Sequence, residues 1–386
     1  MKSSTRTVLR CLEKLEFGDL ELKLSGGSRY VFKGQHSGPR ALLQIHDEKV
    51  FSNLALHGDI AFAKDYWSNM WDSPDIAKLL ECALLNKRVL RKYISGSGLW
   101  KFIHRFSYLL NRNTRAGSRK NILSHYDLGN EFYSLWLDPT MTYSCALFED
   151  STTDLQNAQL HKYDRIIELI NSNAKSVLEV GCGWGGFLER CLNRTNTEVT
   201  GVTVSPAQYA YATSRLKDRE SANLFLQDYR DINGSFDSIV SIEMFEAVGE
   251  QYWDTFFRKL KSLLAKSGNA IIQTITIQDS EFERYRKTGD AIRSYVFPGG
   301  MLPSPKVFEN LARKAGLKMT NKIEFGEDYV RTLNDWLKNF ETQSDSINKR
   351  GFDAQFRRFW KFYLSYCAAA FQVKQTNVMQ VELRHV

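Results

Sequence analysis

The sequence predicts an α/β fold with a mainly parallel, Rossmann-like sheet and a smaller, mostly helical N-terminal domain. From Asp154 onward, apolar strand-like runs alternate with helical stretches. This alternation is typical of a parallel sheet covered by helices on both faces. Early in this region an apolar run ends in Glu179 and leads through a glycine-rich turn, VLEVGCGWGG over 177–186, into a helix. A strand, a glycine turn and a helix begin a nucleotide-type βαβ unit.

Seven strand-like runs make up the predicted sheet, over 176–181, 198–204, 223–227, 236–242, 270–277, 317–325 and 376–383. An amphipathic helix is predicted over 154–171. We divide the chain into an N-terminal domain over 1–110, a polar linker over 111–123 and a catalytic domain over 124–386. An insertion over 278–316 combines a charged helical piece with a Pro- and Gly-rich stretch, which suggests a lid or a substrate-lining loop, with an ordinary long connection as the alternative.

Composition limits the class of protein. The chain has 386 residues, of which 43% are hydrophobic, and this supports a sizeable core. No apolar run approaches the roughly 20 residues that a membrane span needs. The N-terminus lacks the apolar region of a signal peptide, so we expect a cytoplasmic protein. The six cysteines show neither paired nor metal-ligand spacing, which predicts free thiols and no metal site.

The net charge of +8 favours anionic partners. Aromatic and aliphatic residues are interleaved with a cluster of basic ones, at Lys87, Arg88, Arg91, Lys92, Lys101, Arg105, Arg112, Arg115, Arg119 and Lys120. This mixture suits an anionic membrane surface better than nucleic acid, because apolar side chains can enter the lipid interface. A solvated basic helix with one core face is the alternative.

The glycine turn alone leaves the cofactor open. Nicotinamide and flavin enzymes use a related turn and usually place an acidic residue at the end of the second strand, for the ribose hydroxyls. That position holds Thr203 here, with Gln208 soon after. Either hydroxyl and amide groups contact the ribose, or the turn serves another purpose.

Four stretches of the chain together resemble the cyclopropane-fatty-acyl-phospholipid synthase family. They are SHYDLGNEFYSLWLDPTMTYSCALFE over 124–149, the glycine turn with GVTVSPAQ over 201–208, QDYRDINGSFDSIVSIEMFEAVG over 227–249, and 325–340 with 359–371. A fainter similarity covers 45–79. The resemblance implies a class I S-adenosylmethionine methyltransferase fold with a seven-stranded sheet. It also implies transfer of a one-carbon unit to the cis double bond of an unsaturated phospholipid acyl chain.

The resemblance assigns residues to two sets. The first would bind S-adenosylmethionine and comprises Tyr143, Ser144, Glu179, Gly181, Gly183, Gly185, Thr203, Gln208 and Asp228, with Asp228 at the adenine edge and Glu179 supporting the turn. The second would surround a bound bicarbonate that acts as the base, and comprises Cys145, Ile242 (through its backbone), Glu246 and Tyr329. Cys367 would line the site. The implied partners are an anionic bilayer and its unsaturated acyl chains, with peripheral attachment at the inner face of the membrane. No nucleic acid is implied, and a homodimer is left open.

This chain departs from the family pattern around the bicarbonate. Gln273 stands where ring-forming members have a histidine, Ala247 replaces another histidine, and Glu243 stands where glycine is common. An amide can donate a hydrogen bond to an anion but cannot carry a positive charge. The base and the product are therefore open between a cyclopropane, which we predict, and a methyl or methylene branch. A different acceptor, or an inactive lipid-binding protein, are the remaining alternatives.

Overall fold

A computed structural model of the chain describes residues 3–94 and 128–386. These residues form two compact units. One unit contains the N-terminal segment together with residues 284–298 and 336–375, and the other contains the remaining described residues from 128 onward. The proposed linker over 111–123 lies outside the described residues.

The larger unit is built on a seven-stranded sheet. Its strands are β5 (Ser176–Val180), β6 (Glu198–Thr203), β7 (Ala222–Leu226), β8 (Phe236–Ile242), β9 (Leu264–Ile277), β10 (Leu317–Glu324) and β11 (Thr376–His385). The order across the sheet is β10-β11-β9-β8-β5-β6-β7. Neighbouring strands from β9 to β7 are parallel, and β11 runs antiparallel to both β9 and β10. The predicted α/β architecture with a mainly parallel sheet is confirmed.

The central strands are buried along nearly their whole length, as parallel strands covered on both faces should be. Parallel strands end at the same edge of the sheet, so the turns after β5, β6 and β8 meet there. In open α/β sheets ligands bind at this carboxyl edge. The sheet therefore places the glycine turn after β5 and the segment after β8 on one side of the molecule.

Helices in chain order connect these strands and complete both units. Their bounds are α1 Ser3–Leu12, α2 Lys49–His57, α3 Asp59–Trp67, α4 Ile76–Leu85, α5 Lys87–Ile94, α6 Asn130–Tyr133, α7 Leu155–Leu169, α8 Gly186–Arg194, α9 Pro206–Arg215, α10 Trp253–Leu263, α11 Asp279–Lys287, α12 Ala291–Tyr295, α13 Pro305–Lys314, α14 Gly326–Thr342, α15 Ser344–Lys349 and α16 Ala354–Gln372. No helix of the described residues is both long enough and apolar enough to cross a bilayer.

Helix α7 begins where the sequence predicts it. The Asp154 side chain caps the helix by accepting a hydrogen bond from the Asn157 N–H at 2.8 Å, which satisfies one of the free amides of the first turn. The face that α7 buries carries mostly apolar residues, but it also carries Gln159 and Lys162. Two polar side chains on a buried helical face need polar partners, and these partners belong to the site described below.

The smaller unit contains a sheet as well as helices. Four strands, in the order β2-β1-β3-β4, cover Phe17–Lys23 (β1), Arg29–Lys33 (β2), His36–Ile45 (β3) and Trp71–Asp72 (β4). The core of this unit joins Leu22 and Trp71 of the N-terminal segment to Ala291, Phe362 and Ala369 of the later segments. Two parts of the region assigned to the catalytic domain, 284–298 and 336–375, thus pack with the N-terminal segment, because their apolar faces complete its core.

Candidate active site

The glycine turn between β5 and α8 has a backbone that side chains would obstruct. Gly181 adopts φ +83, and a Cβ added to it would lie 2.7 Å from Cγ of Met244. Gly185 also has positive φ, at +82, and immediately precedes α8. Backbone conformations of this kind are readily available to glycine alone. The turn thus lies at the carboxyl edge of the sheet, where the N–H groups of Gly181 and Cys182 both donate to the carbonyl oxygen of Val202 over 3.0 Å.

The end of β6 and the start of α9 each supply one polar side chain to the same edge. Thr203 donates from Oγ1 to Oε1 of Gln208 over 2.9 Å, and both residues are buried. Ser205 caps α9, its Oγ accepting from the Gln208 N–H, which fixes the start of the helix that carries Gln208. A hydroxyl and an amide, rather than a carboxylate, therefore stand where a ribose-binding group is expected.

Tyr143 is held by a group of aromatic rings. Its ring centroid lies 5.5 Å from that of Tyr133 and 5.5 Å from that of Trp136. Trp184, within the glycine turn, packs 5.1 Å from Tyr133. Tyr143 keeps partial exposure, as do Gly181 and Gly183. The segment predicted to touch the cofactor is thereby tied to the glycine turn through aromatic packing.

Glu179 lies at the end of β5, just before the glycine turn, and is buried. Its Oε2 has no hydrogen-bond partner among the described residues. Burial raises the pKa of this carboxyl to about 8. A buried carboxyl oxygen without a partner, beside a glycine turn, fits a site that a polar ligand completes. The residues present are thus compatible with S-adenosylmethionine.

The side chain of Glu243 lies at the centre of the second predicted set. Its Oε1 accepts hydrogen bonds from the Cys145 N–H and from Nε2 of Gln273, both over 2.9 Å. Its Oε2 accepts one from the Tyr329 hydroxyl over 2.6 Å. Three residues expected around a bicarbonate therefore surround a carboxylate that the chain itself supplies.

The backbone explains how Glu243 reaches this position. It follows the last residue of β8 and has φ +50, which is uncommon for a residue with a side chain. Its N–H donates to the carbonyl oxygen of Gln273 over 2.8 Å. The Gln273 amide is oriented in turn by Gln380, whose Nε2 donates to Gln273 Oε1 over 3.2 Å. The Gln273 NH₂ group is thus directed toward Glu243.

Glu246 lies one turn further along the chain and has different partners. Its Oε1 accepts from the hydroxyl of Thr274, over 2.9 Å, and from the N–H of Ile275. Burial raises the pKa of Glu246 to about 8, and the nearby charge of Glu243 acts in the same direction. For Glu243 itself, burial raises the pKa, while the hydrogen bonds from Tyr329, Gln273 and Cys145 oppose the increase. Of this pair, Glu243 has the larger set of donors to stabilise its charged form.

The other predicted residues are located but their roles remain predictions. Ile242 ends β8 and pairs with Gln273 in the parallel ladder. Asp228 accepts from Arg230 in a two-pronged ion pair, with 2.6 Å between Oδ2 and Nη2. Cys367 lies in α16, within the smaller unit. The contact of Asp228 with adenine, the backbone role of Ile242 and the lining role of Cys367 are therefore still predictions.

Sequence reasoning did not assign three residues that the structure places at the site. Glu243 was visible as a departure from the family pattern, but its carboxylate was expected only to add charge. Gln159 and Lys162 belong to no family motif, but two polar residues on the apolar face of an amphipathic helix are a signal that the sequence does carry. Lys162 is completely buried and donates from Nζ to Ser144 Oγ over 2.6 Å.

Comparisons with known proteins agree with this architecture. Residues 113–381 match the family model described as mycolic acid cyclopropane synthetase. The chain is 33% identical to the tuberculostearic acid methyltransferase UfaA1 of Mycobacterium tuberculosis, over 89% of this chain and 83% of that protein. It is 30% identical to the cyclopropane-fatty-acyl-phospholipid synthase of Escherichia coli K12, over 88% of this chain and 86% of that protein.

Solved structures extend the similarity to three dimensions. The cyclopropane synthase MmaA2 from Mycobacterium tuberculosis superposes with a TM-score of 0.64 at 28% identity, covering 69% of this chain and 97% of that one. The mycolic acid cyclopropane synthase CmaA1, solved with SAH and CTAB, gives the same TM-score and coverages at 29% identity. The larger unit thus has the fold of the S-adenosylmethionine-dependent methyltransferases.

Proposed function

Because this chain belongs to the mycolic acid cyclopropane synthetase family, we propose that it transfers a one-carbon unit to the cis double bond of an unsaturated phospholipid acyl chain. We further propose that Glu243 removes the proton that completes the reaction. The single observation that carries this proposal is the Glu243 carboxylate, held by Cys145, Gln273 and Tyr329. It replaces the separate bicarbonate that the family resemblance implies.

The chemistry requires a base at this place. When bound, S-adenosylmethionine supplies an electrophilic methyl group. The π electrons of the alkene form the new C–C bond, which leaves a positive charge on the acyl chain. A proton must then leave, and the electrons of the broken C–H bond either close the ring or form a new double bond. A positioned carboxylate accepts this proton and also stabilises the neighbouring positive charge.

Glu243 is suited to this role. Its three donors keep the carboxyl in one orientation and favour its charged form, while burial raises its pKa above that of an exposed glutamate. A base with a pKa nearer the working pH is more effective than an ordinary exposed carboxylate. Since the donors expected to bind bicarbonate already bind Glu243, the proposed reaction needs no added bicarbonate.

The product depends on where the proton is lost. Loss from the transferred methyl group with ring closure gives the cyclopropane, which is the product we propose. Two observations favour a branched product as the second candidate. Gln273 and Glu243 replace the histidine and glycine of the ring-forming pattern, and one relative is described as a tuberculostearic acid methyltransferase.

Product analysis tests the proposal directly. Purified protein, vesicles of a cis-monounsaturated phospholipid and S-adenosylmethionine with a deuterated methyl group should yield lipids with ring protons upfield of the methyl envelope. The transferred group should lose one deuterium, because Glu243 removes it. Vinyl signals with the same loss would indicate a methylene branch. Retention of all the deuterium would mean that the proton came from the chain, which leaves a methyl branch next to a new double bond in the chain. No modified lipid, together with methylation of a small amine, would contradict the proposed acceptor.

We also propose that the chain docks on an anionic phospholipid surface. Helix α5, KRVLRKYI, supports this because four of its eight residues are basic. Arg88 and Arg91 are both exposed, but Arg88 pairs with Glu16 over 2.5 Å, so Arg91 is the better choice for a test. Of the other basic residues in the cluster, those from Lys101 to Lys120 lie outside the described residues.

Charge reversal at Arg91 should weaken vesicle binding. A basic residue near an anionic surface contributes about 1 kcal/mol, so Arg91→Glu should lower the partition coefficient by about fivefold or more. Flotation with vesicles containing anionic lipid measures this, with Lys217→Glu, an exposed residue of the larger unit, as the control. Equal losses in both variants, or unchanged binding in Arg91→Glu, would contradict docking through α5.

A further inference from the structure

Helix α7 carries a buried lysine that the proposed reaction does not use directly. Lys162 has no exposed surface, and neither does Gln159 one turn earlier. Lys162 Nζ donates to Oε1 of Gln159 over 2.7 Å and to the Ser144 hydroxyl over 2.6 Å. A completely buried lysine is rare, because removing an ammonium group from water is costly unless it is paired.

A continuous hydrogen-bond chain runs from this lysine to Glu243. Oε1 of Gln159 accepts from Lys162, and Nε2 of Gln159 donates to the carbonyl oxygen of Ser144 over 2.9 Å. The same peptide group presents its N–H, that of Cys145, to Oε1 of Glu243 over 2.9 Å. Each group accepts on the side of the lysine and donates on the side of the carboxylate. Hydrogen bonds arranged in this way polarise and strengthen one another.

We propose that Lys162 and Gln159 are positioning residues that act through the Ser144–Cys145 peptide to hold Glu243 in its charged, proton-accepting form. The inference rests on the proposed function, in which Glu243 is the base. In this role the two residues of α7 act on Glu243 through the peptide group and do not contact the substrate. It also explains why a lysine is buried here at all.

The surrounding charges agree with this role. Burial lowers the pKa of Lys162 to about 8, and the negative charge of Glu243 is the largest influence opposing that shift. Cys145, Asp138 and Glu179 also face Lys162 and act in the same direction as Glu243. Around Glu243, the positive charge of Lys162 favours the charged form of the carboxyl, while Glu246 is a second carboxylate nearby. Removing the Lys162 charge should therefore make Glu243 harder to ionise.

A structural role alone would have a different signature. A lysine that only fills space could be replaced by methionine with a uniform loss of activity at every pH. A lysine that sets the charge of the base should instead move the pH profile. The rate falls at low pH as the base becomes protonated, so a higher pKa of Glu243 displaces this acid limb to higher pH.

The experiment compares Lys162→Met and Lys162→Arg with the wild-type protein. Lys162→Met should move the acid limb of kcat upward by about one pH unit, which is a tenfold lower rate on that limb. Lys162→Arg, which keeps the charge, should leave the limb in place. Gln159→Met interrupts the chain without removing the charge and should give a smaller shift in the same direction. Gln156→Met, exposed on the same helix, is the matched control.

A second measurement keeps the inference separate from the proposed reaction. Infrared difference spectra against Glu243→Gln report the protonation of the Glu243 carboxyl whether or not it acts as the base. An unchanged Glu243 titration in Lys162→Met and Gln159→Met overturns the inference. A shifted titration together with full activity of Glu243→Gln would instead overturn the proposed function. If Lys162→Met does not fold, as judged by circular dichroism, Gln159→Met decides the matter alone.

Discussion

Glu243→Gln is expected to lower kcat by about 10²–10⁴-fold, the usual range for loss of a positioned general base. The substitution keeps the shape of the side chain. The amide oxygen of the variant can still accept from the Cys145 N–H and from Gln273. In the wild-type protein the Tyr329 hydroxyl donates to the carboxylate, whereas in the variant this hydroxyl can accept from the amide NH₂. The loss should therefore come from missing proton transfer, and a kinetic assay with monounsaturated phospholipid vesicles measures it.

Two comparisons establish whether the effect belongs to Glu243. Binding of S-adenosylhomocysteine, measured by calorimetry, should be unchanged, because the glycine turn, Thr203 and Gln208 are not altered. Glu246→Gln should have the smaller effect on kcat, since the Glu246 carboxyl accepts from Thr274 and Ile275, a different pair of donors from those that hold Glu243. A large loss in Glu246→Gln with near-normal activity in Glu243→Gln would transfer the role of base to Glu246.

The sheet could be predicted closely because its strands are apolar runs bounded by turns. Strand β8 has the predicted bounds, and β5, β6, β7, β10 and β11 differ by one or two residues at an end. Strand β9 is the exception, since it begins at Leu264 rather than at residue 270. Its first part, LAKSGN, contains only two apolar side chains, Leu264 and Ala265. Asn269 is buried there, and its side chain forms hydrogen bonds with Ser238, Glu382 and the carbonyl oxygen of Leu169. A hydrophobic pattern does not reveal such pairing.

The composition of the two units was less predictable. Residues 284–298 and 336–375 follow catalytic-domain strands in the sequence but pack with the N-terminal segment. Their aromatic side chains gave no indication of which core they would enter. Arg358 illustrates the reason, because it bonds to the carbonyls of Tyr66 and Trp71, almost 300 residues away in the chain. Contacts at such separation have no local signal.

The sequence pointed to some residues of the site but not to its centre. Cys145, Gln273 and Tyr329 were expected to contact a bicarbonate, and that role stays a prediction. In the structure all three donate to the carboxyl group of Glu243. The sequence showed that a glutamate stands in a position where glycine is common. It could not show that positive φ after β8 turns this side chain back onto the three donors. That outcome depends on the backbone and not on residue type.

Glu243→Gly should make the reaction depend on a base that is added to the solution. Glycine suits the backbone here, because φ +50 is a strained value for glutamate and an ordinary one for glycine, a difference of about 1 kcal/mol in favour of the variant. Removal of the carboxylate leaves the Cys145 N–H, the Gln273 amide and the Tyr329 hydroxyl without their shared acceptor. The variant alone should lose activity to about the same extent as Glu243→Gln.

Added bicarbonate or formate should then restore part of that activity, by about tenfold, because a small carboxylate can occupy the released donors and accept the proton. Glu243→Gln is the matched control. Its amide fills the same space, so neither anion should stimulate it, and chloride at equal ionic strength should stimulate neither variant. Rescue of both variants to the same degree would indicate that the anions act elsewhere. A folded Glu243→Gly protein that binds S-adenosylhomocysteine but responds to neither anion would contradict the assignment of Glu243 as the base.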